Sequence, residues 1–276
     1  MTARATPLLP VVILAGGLAT RLGETARSVP KCLLDVAGEP FLFHQLRRLK
    51  AEGVGSVLLC VSHLGEQVVE AARDGSAFGL CLDYAFDGPN RAGTAGAIKR
   101  ALPKLPAEFF VLYGDSLLTC PFAPIQARFL TSNATALMTV YRNDGQWDAS
   151  NVEFADGQIL AYDKVHRTSR MQHIDYGLGL FRQQAFDHVP SDGEHDLAEV
   201  YQRALRHGTL ASFAVSERFY EIGSHAGLEE TRHYLESLTP PPDTGLDSQS
   251  PAGPSERSAL VSPHDLDQPA QEVRPR

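Results

Sequence analysis

The chain has 276 residues, of which 43% are hydrophobic and 21% charged, and its net charge is -8. This composition is that of a globular protein with one large or two small domains, and it excludes a collagen-like, fully disordered or disulfide-stapled chain. The negative charge offers no basic surface to a nucleic-acid backbone, so any bound anion needs a local site. The four cysteines lack metal-binding spacing, and we expect a reducing, cytoplasmic location. The apolar stretch 8–15, broken by Pro10, is too short for an export signal or a membrane span.

Short apolar segments alternate with amphipathic segments in the first half of the chain. The pattern predicts strands at Val11–Leu14, Ser56–Val61, 80–86 and 109–113, and helices at Phe41–Glu52, 65–73 and 94–102. In the first of these helices, Leu42, Leu46 and Leu49 fall on one face. Strands and helices that alternate in this way are typical of βαβ units. We therefore predict a Rossmann-like α/β fold, with a mostly parallel sheet and helices on both faces.

The second half of the chain has a mixed pattern. It predicts strands at 134–141, 152–154, 159–163, 176–181 and Leu210–Val215, and helices at 197–207 and 227–238. An Ala-Asp-Gly turn at 155–157 indicates a hairpin. From about residue 141 onward we expect a smaller antiparallel region, which closes over the functional site of the α/β layer. From Pro240 the sequence is rich in Pro, Ser, Asp and Gln, which predicts one folded domain, 1–239, and a disordered tail, 240–276.

A glycine-rich segment follows the first predicted strand and reads Leu14-Ala15-Gly16-Gly17-Leu18-Ala19-Thr20-Arg21-Leu22. Adjacent glycines let the backbone approach a ligand, and successive N–H groups at a strand-to-helix turn can cradle an anion. Arg21 and Lys31 add positive charge at the same end of the sheet. The alternative is a tight turn whose glycines only permit positive φ. A dinucleotide fingerprint is absent, and Thr94 stands where a Walker loop needs Lys.

Four blocks occur in a specific order. They are the glycine-rich segment 14–22, Val-Pro-Lys-Cys-Leu-Leu at 29–34, Ala-Gly-Thr-Ala-Gly-Ala-Ile at 92–98, and Tyr-Gly-Asp-Ser at 113–116. This series resembles the sugar-1-phosphate nucleotidyltransferase family over residues 11–238, and blocks at 162–164, 174–179 and 219–223 extend the resemblance. Within the family, the chain is most similar to bacterial guanylyltransferases that act on heptose or mannose 1-phosphate.

The resemblance implies an enzyme that joins an NTP to a sugar 1-phosphate and releases pyrophosphate, with GTP and a heptose or mannose 1-phosphate as the expected pair. It implies that Arg21 and Lys31 neutralise phosphates during catalysis and that Asp115 and Glu221 hold Mg²⁺. Asp115 also ends an apolar strand at the edge where open α/β sheets bind ligands, and a carboxylate there suits Mg²⁺, although a turn or helix-cap role is the alternative. Glu221 departs from the family's usual Asp, and Cys32 from its usual Pro.

The resemblance also implies two binding sets. The nucleotide-binding set is Leu14, Ala15, Gly16, Gly17, Gly93 and Thr94, with 87–90 at the base edge, and the sugar-binding set is Asn151, Asp163, Lys164, Asp175 and Gly177. As bare residues, Gly93 and Thr94 also fit an ordinary helix start, and Asp163 and Lys164 a polar strand end. Two other functions stay open: a non-catalytic nucleotide-sugar sensor, and a transferase that uses UTP, CTP or dTTP on another sugar 1-phosphate. We expect no nucleic-acid or membrane partner. Because oligomeric state varies within the family, the resemblance is compatible with a homo-oligomer.

Overall fold

The structure is a computed structural model that describes residues 6–17, 28–88 and 90–238. The chain divides into two units at Thr239, and the described residues all belong to the first unit, Met1–Thr239. Arg21 and the predicted tail, 240–276, lie outside the described residues. None of the helices in the described ranges has the length and apolar character needed to cross a membrane.

The first unit contains thirteen strands and six α-helices in its described ranges. In chain order they are β1 (Val11–Leu14), β2 (Asp35–Val36), β3 (Glu39–Pro40), α1 (Phe41–Glu52), β4 (Ser56–Val61), α2 (Gly65–Ala72), β5 (Cys81–Phe86), α3 (Gly93–Ala101), β6 (Glu108–Tyr113), β7 (Ser116–Leu117), α4 (Phe122–Leu130), β8 (Ala136–Arg142), β9 (Val152–Ala155), β10 (Gln158–Tyr162), β11 (His173–Arg182), α5 (Leu197–Arg206), β12 (Leu210–Val215), β13 (Tyr220–Glu221) and α6 (His225–Leu238).

A nine-stranded mixed sheet forms the centre of the unit. Strands β6, β1, β4 and β5 lie side by side in parallel, with Val11 paired to Phe110 on one side and to Val57 on the other. Antiparallel β11 joins β6 to β8, and β12 runs parallel to β8. The β9–β10 hairpin extends the sheet from the start of β11. The predicted α/β fold, with a mostly parallel sheet and an antiparallel elaboration, is confirmed.

Helices cover both faces of the sheet. Val11 and Ile13 belong to the buried cluster that includes Leu42 of α1, whereas Val12 belongs to the cluster that includes Ile98 of α3. Because successive side chains of a strand point to opposite faces, each face of β1 needs its own helical layer. This arrangement accounts for the four consecutive apolar residues of β1.

One helix, α4, is absent from the sequence prediction. Its buried residues Phe122, Ile125 and Phe129 have helical spacing, but Pro121 and Pro124 interrupt the apparent pattern. Pro124 lies in the first turn of α4, where backbone N–H groups have no intrahelical acceptor, so proline is tolerated there. The prolines therefore mark the start of a helix rather than a loop.

Candidate active site

A cavity of about 310 Å³ lies at the carboxyl edge of the parallel strands. Its wall includes Ser62, which follows β4, and Asp115, which follows β6. Loops that follow parallel strands meet at one edge of a sheet, which is where open α/β folds bind ligands. The structure brings the whole predicted nucleotide-binding set to this wall, together with Lys31 and Asp115; the set is Leu14, Ala15, Gly16, Gly17, Gly93 and Thr94.

The close approach of β1 and β6 places Asp115 next to the glycine-rich segment. The Gly114 N–H group donates a hydrogen bond to the Leu14 carbonyl oxygen over 3.1 Å. A Cβ atom on Gly114 would lie 2.6 Å from that oxygen, so a larger residue would push the two chain segments apart. The glycine before Asp115 is thus required by packing.

Lys31 provides a cationic side chain at this wall. Its Nζ atom lies 2.6 Å from Asp115 Oδ2, and its side chain is only 10% exposed, against 37% for Asp115. Lysine is rarely buried without a partner, because an unpaired buried ammonium group is costly. Lys31 is therefore a nearly buried, paired ammonium group at the cavity wall rather than a member of a surface salt bridge.

Cys32, which takes the place of the family's usual proline, also lines the cavity. It is 1% exposed, and burial raises the pKa of its thiol to about 12. The thiol therefore stays neutral near pH 7, and Cys32 acts as a small apolar residue that adds no charge beside Lys31.

The turn at Gly93 is attached to the start of α5. Gly93 has a φ of +69°, and a Cβ atom there would lie 2.4 Å from the carbonyl oxygen of His195. The His195 N–H group donates to the Ala92 carbonyl oxygen over 2.8 Å, and the Leu197 N–H group donates to Thr94 Oγ1 over 2.7 Å. Helix α3 begins at Gly93, in agreement with the alternative of an ordinary helix start, but Gly93 and Thr94 also form part of the cavity wall.

Asp87 and Arg91 occupy another part of the wall, in the loop that precedes α3. Arg100 of α3 holds this loop by donating to the carbonyl oxygens of Asp87 and Asn90. Partial burial raises the pKa of the Asp87 carboxyl, an effect that Arg100 opposes. Asp87 belongs to the segment 87–90 expected at the base edge, whereas Arg91 follows that segment.

Asp175 interacts with three other residues of the predicted sugar-binding set, Asn151, Gly177 and Lys164. The Asp175 N–H group donates to Asn151 Oδ1 over 3.0 Å, and its carboxylate accepts hydrogen bonds from the Gly177 N–H and Tyr162 hydroxyl groups over 3.1 and 3.2 Å. Burial raises the pKa of Asp175, while the Lys164 ammonium group acts in the opposite direction.

Tyr113 connects this group of residues to the cavity. Tyr113 lines the cavity, and a Cβ atom on Gly177 would lie 3.3 Å from the Tyr113 ring. The Lys164 Nζ atom lies 5.6 Å from the centre of the same ring. Asp163 belongs to the predicted sugar-binding set but does not join this hydrogen-bonded group. Its Oδ1 atom accepts hydrogen bonds from the N–H groups of Val165 and His166 over 2.7 and 2.8 Å, which fits the alternative of a polar residue at a strand end.

Glu221 lies close to Lys31 and Asp115 but is hydrogen-bonded to its own loop. Strand β13 pairs with β7, which places Glu221 opposite Ser116. The Glu221 carboxylate accepts the Ser224 hydroxyl over 2.7 Å and the Gly223 N–H group, just before α6 begins. A helix N-terminus favours a carboxylate through its dipole.

The carboxylates of Asp115 and Glu221 suit Mg²⁺ chemically. Both supply oxygen ligands, and Asp115 keeps part of its surface open to the cavity side. Among the described residues, no cluster of three or more His, Cys, Asp or Glu could hold a metal ion by itself. Because Mg²⁺ commonly takes one or two protein carboxylates and completes its shell with phosphate oxygens and water, two carboxylates fit this ion.

Several site residues carry no sequence signal of their own. Ser62, Arg91 and Glu194 line the cavity, and Asp196 accepts a hydrogen bond from Lys164 over 3.3 Å. Arg91 is next to the predicted turn and could have been found from its position. Ser62 directly follows a predicted strand and could have been found in the same way, whereas Glu194 and Asp196 become neighbours of the site only through the fold.

Comparisons with known proteins agree with this geometry. The family described as Nucleotidyl transferase matches residues 10–237. The N-acetylmuramate alpha-1-phosphate uridylyltransferase of Neisseria meningitidis is 29% identical over 237 residues, covering 81% of this chain and 97% of that protein. The D-glycero-alpha-D-manno-heptose 1-phosphate guanylyltransferase of Campylobacter jejuni is 26% identical over 228 residues, covering 82% and 99%.

Solved structures share the fold. A putative glucose-1-phosphate thymidylyltransferase from Bacillus anthracis superposes with a TM-score of 0.74 at 20% identity, covering 83% of this chain and 96% of that one. The inositol-1-phosphate CTP transferase from T. maritima gives a TM-score of 0.70 at 22% identity, covering 85% and 97%. The resemblance indicated by the sequence blocks is confirmed, and the chain belongs to the nucleotidyl transferase family.

Proposed function

We propose that this protein transfers a nucleoside monophosphate from an NTP to a sugar 1-phosphate and releases pyrophosphate. The observation that carries the proposal is the cavity at the carboxyl edge of β1, β4 and β6, which joins Gly16 and Gly17, Lys31 and Asp115 on one wall. The family membership supports the same reaction class.

In this reaction a phosphate oxygen of the sugar 1-phosphate attacks the α-phosphorus of the NTP. That oxygen is already anionic near pH 7, so no general base is needed. The difficulty lies in bringing two polyanions together and in stabilising the charge of the transition state. In our proposal Lys31, held in place by its pair with Asp115, presents ordered N–H donors to the phosphates from a nearly buried position, where electrostatic interactions are stronger than in water. Arg21 is proposed to assist from the glycine-rich segment.

The sugar 1-phosphate is proposed to bind next to Tyr113, where Asn151, Asp175 and Gly177 form one hydrogen-bonded group. Lys164 supports this position, because its ammonium group lies over the Tyr113 ring and can donate to a phosphate or hydroxyl oxygen. Asp163 is proposed to contribute as a sugar ligand once its local hydrogen bonds are exchanged.

Asp115 and Glu221 are proposed to hold Mg²⁺. When bound, this ion neutralises phosphate charge and aligns the reacting groups. Neighbouring residues hold the two carboxylates in place: Lys31 pairs with Asp115, and Gly223 and Ser224 donate hydrogen bonds to Glu221.

Asp87 and Arg91 favour GTP as the nucleotide. Guanine offers neighbouring N1–H and N2–H donors that a carboxylate accepts together, and its O6 and N7 atoms accept from arginine. Uracil and thymine present a single N–H group between two carbonyl oxygens, and these oxygens repel a carboxylate. Both side chains line the cavity. With the Campylobacter jejuni relative as a guide, we propose a heptose or mannose 1-phosphate as the second substrate.

A panel of GTP, UTP, CTP and dTTP against heptose, mannose, glucose and N-acetylhexosamine 1-phosphates tests the proposal through pyrophosphate release with Mg²⁺. We expect GTP with heptose or mannose 1-phosphate to be the best pair and Asp115→Asn to lose turnover. Asp83→Asn is the control, because Asp83 also pairs with a lysine, Lys104, but away from the cavity. Binding of a nucleotide sugar without any turnover would favour the sensor instead.

A further inference from the structure

The turn that begins α5 touches both halves of the proposed site. On one side, His195 and Leu197 hydrogen-bond to the turn that carries Gly93 and Thr94. On the other, Asp196 Oδ1 accepts a hydrogen bond from Lys164 Nζ over 3.3 Å. The turn proposed to bind the NTP and the lysine proposed to bind the sugar 1-phosphate are thus attached to one short segment.

We propose that Asp196 is a positioning residue that orients Lys164 toward the phosphate of the sugar 1-phosphate. This inference rests on the proposed function and deepens it, because it assigns a role in binding one of the two substrates to a residue that has no role in the predicted binding sets. Asp196 does not line the cavity and acts through Lys164.

The position of Asp196 is fixed by the backbone. Asp196 is the N-cap residue of α5, and its side chain accepts the Ala198 N–H group over 2.7 Å. The two flanking residues are held by the Gly93 turn through hydrogen bonds of 2.7 and 2.8 Å. Asp196 therefore presents its carboxylate from a rigid support, although its side chain is 55% exposed.

Lys164 needs such a support. Its side chain is 37% exposed and has four rotatable bonds, so ordering it without a partner costs conformational entropy. An ammonium group has three N–H donors, and the bond to Asp196 uses one of them. The remaining donors lie near the ring of Tyr113, a residue that lines the cavity.

The substitution Asp196→Asn separates this role from helix capping. Asparagine is about as good an N-cap as aspartate, so the bond to Ala198 and the melting temperature should be retained while the negative charge next to Lys164 is lost. We expect the KM for the sugar 1-phosphate to rise roughly two- to fivefold, with the KM for the NTP and the kcat unchanged. Asp83→Asn, which removes a similar exposed ion pair on β5, should change neither KM.

A double-mutant cycle completes the experiment. In a Lys164→Met background, Asp196→Asn should have no further effect on the KM for the sugar 1-phosphate, because the lysine through which it acts is absent. Unchanged KM values for Asp196→Asn, equal effects on both substrates, or a fall in the KM for the sugar 1-phosphate would each overturn the assignment. A wild-type protein that is inactive with every substrate pair would instead remove the proposed function, and this inference with it.

Discussion

Replacement of Gly93 by alanine tests whether the nucleotide turn is fixed by α5. At a φ of +69°, an alanine is strained by about 1–2 kcal/mol. Its Cβ atom would also lie 2.4 Å from His195 O and 2.8 Å from His195 N, so the two segments must separate. Separation weakens two backbone hydrogen bonds of 2.8 Å, between His195 N–H and Ala92 and between Ala95 N–H and His195. With about 1 kcal/mol for each bond, Gly93→Ala should lower the free energy of unfolding by about 3–4 kcal/mol.

Gly88→Ala is the matched control. Gly88 has a φ of +79° in the preceding loop, but a Cβ atom there meets nothing within 4 Å, so only the cost of the left-handed backbone, about 1–2 kcal/mol, applies. Urea unfolding followed by the fluorescence of Trp147, the single tryptophan of the chain, measures both variants. If Gly93→Ala and Gly88→Ala are destabilised equally, the close contact with His195 contributes nothing and our reasoning about this turn is wrong.

Three further predictions concern charge and thiols. Lys31→Ala should reduce kcat by about 10²-fold or more while lowering the free energy of unfolding by only about 1–2 kcal/mol, as measured by pyrophosphate release and urea titration. Because burial raises the pKa of Asp87, this carboxyl gains a proton at a higher pH than an ordinary aspartate as the pH falls. The preference for GTP over UTP should therefore weaken toward acidic pH, and Asp87→Asn should abolish this pH dependence. Finally, a maleimide at pH 7 should label one thiol per native chain, that of exposed Cys81, because Cys32 and the other two cysteines are buried; mass spectrometry of the digest identifies the site.

The parallel half of the fold could be predicted because its signals are local. Strands β1, β4 and β6 are uninterrupted apolar runs, each is followed by a turn, and one helix has a clear apolar face. The loops after such strands must meet at one edge, so the sequence also predicts that Gly16, Lys31 and Asp115 share a site. Topology accounts for Gly16 and Asp115, which follow β1 and β6, whereas the role of Lys31 is expected from the resemblance.

Other site residues could not be predicted, because their contacts join distant parts of the chain. Thr94 and Leu197 are separated by 103 positions, and nothing in either segment indicates that they meet. Asp196 shows only the pattern of a helix N-cap, which is its local role in the structure as well. Its contact with Lys164 depends on how α5 packs on the sheet, and local patterning carries no information about that packing.

The paired charges explain how a chain of net charge -8 can serve two polyanionic substrates. Each proposed phosphate-facing lysine already has a carboxylate partner: Lys31 lies 2.6 Å from Asp115, and Lys164 lies 3.3 Å from Asp196. These pairs order the ammonium groups before substrate arrives, but they contribute almost no net positive charge. Most of the charge of the incoming phosphates must therefore be neutralised by cations that bind with them, and the partly open carboxylate of Asp115 is suited to such an ion. On the proposed function, affinity for the NTP should depend more strongly on Mg²⁺ concentration than on the overall charge of the protein.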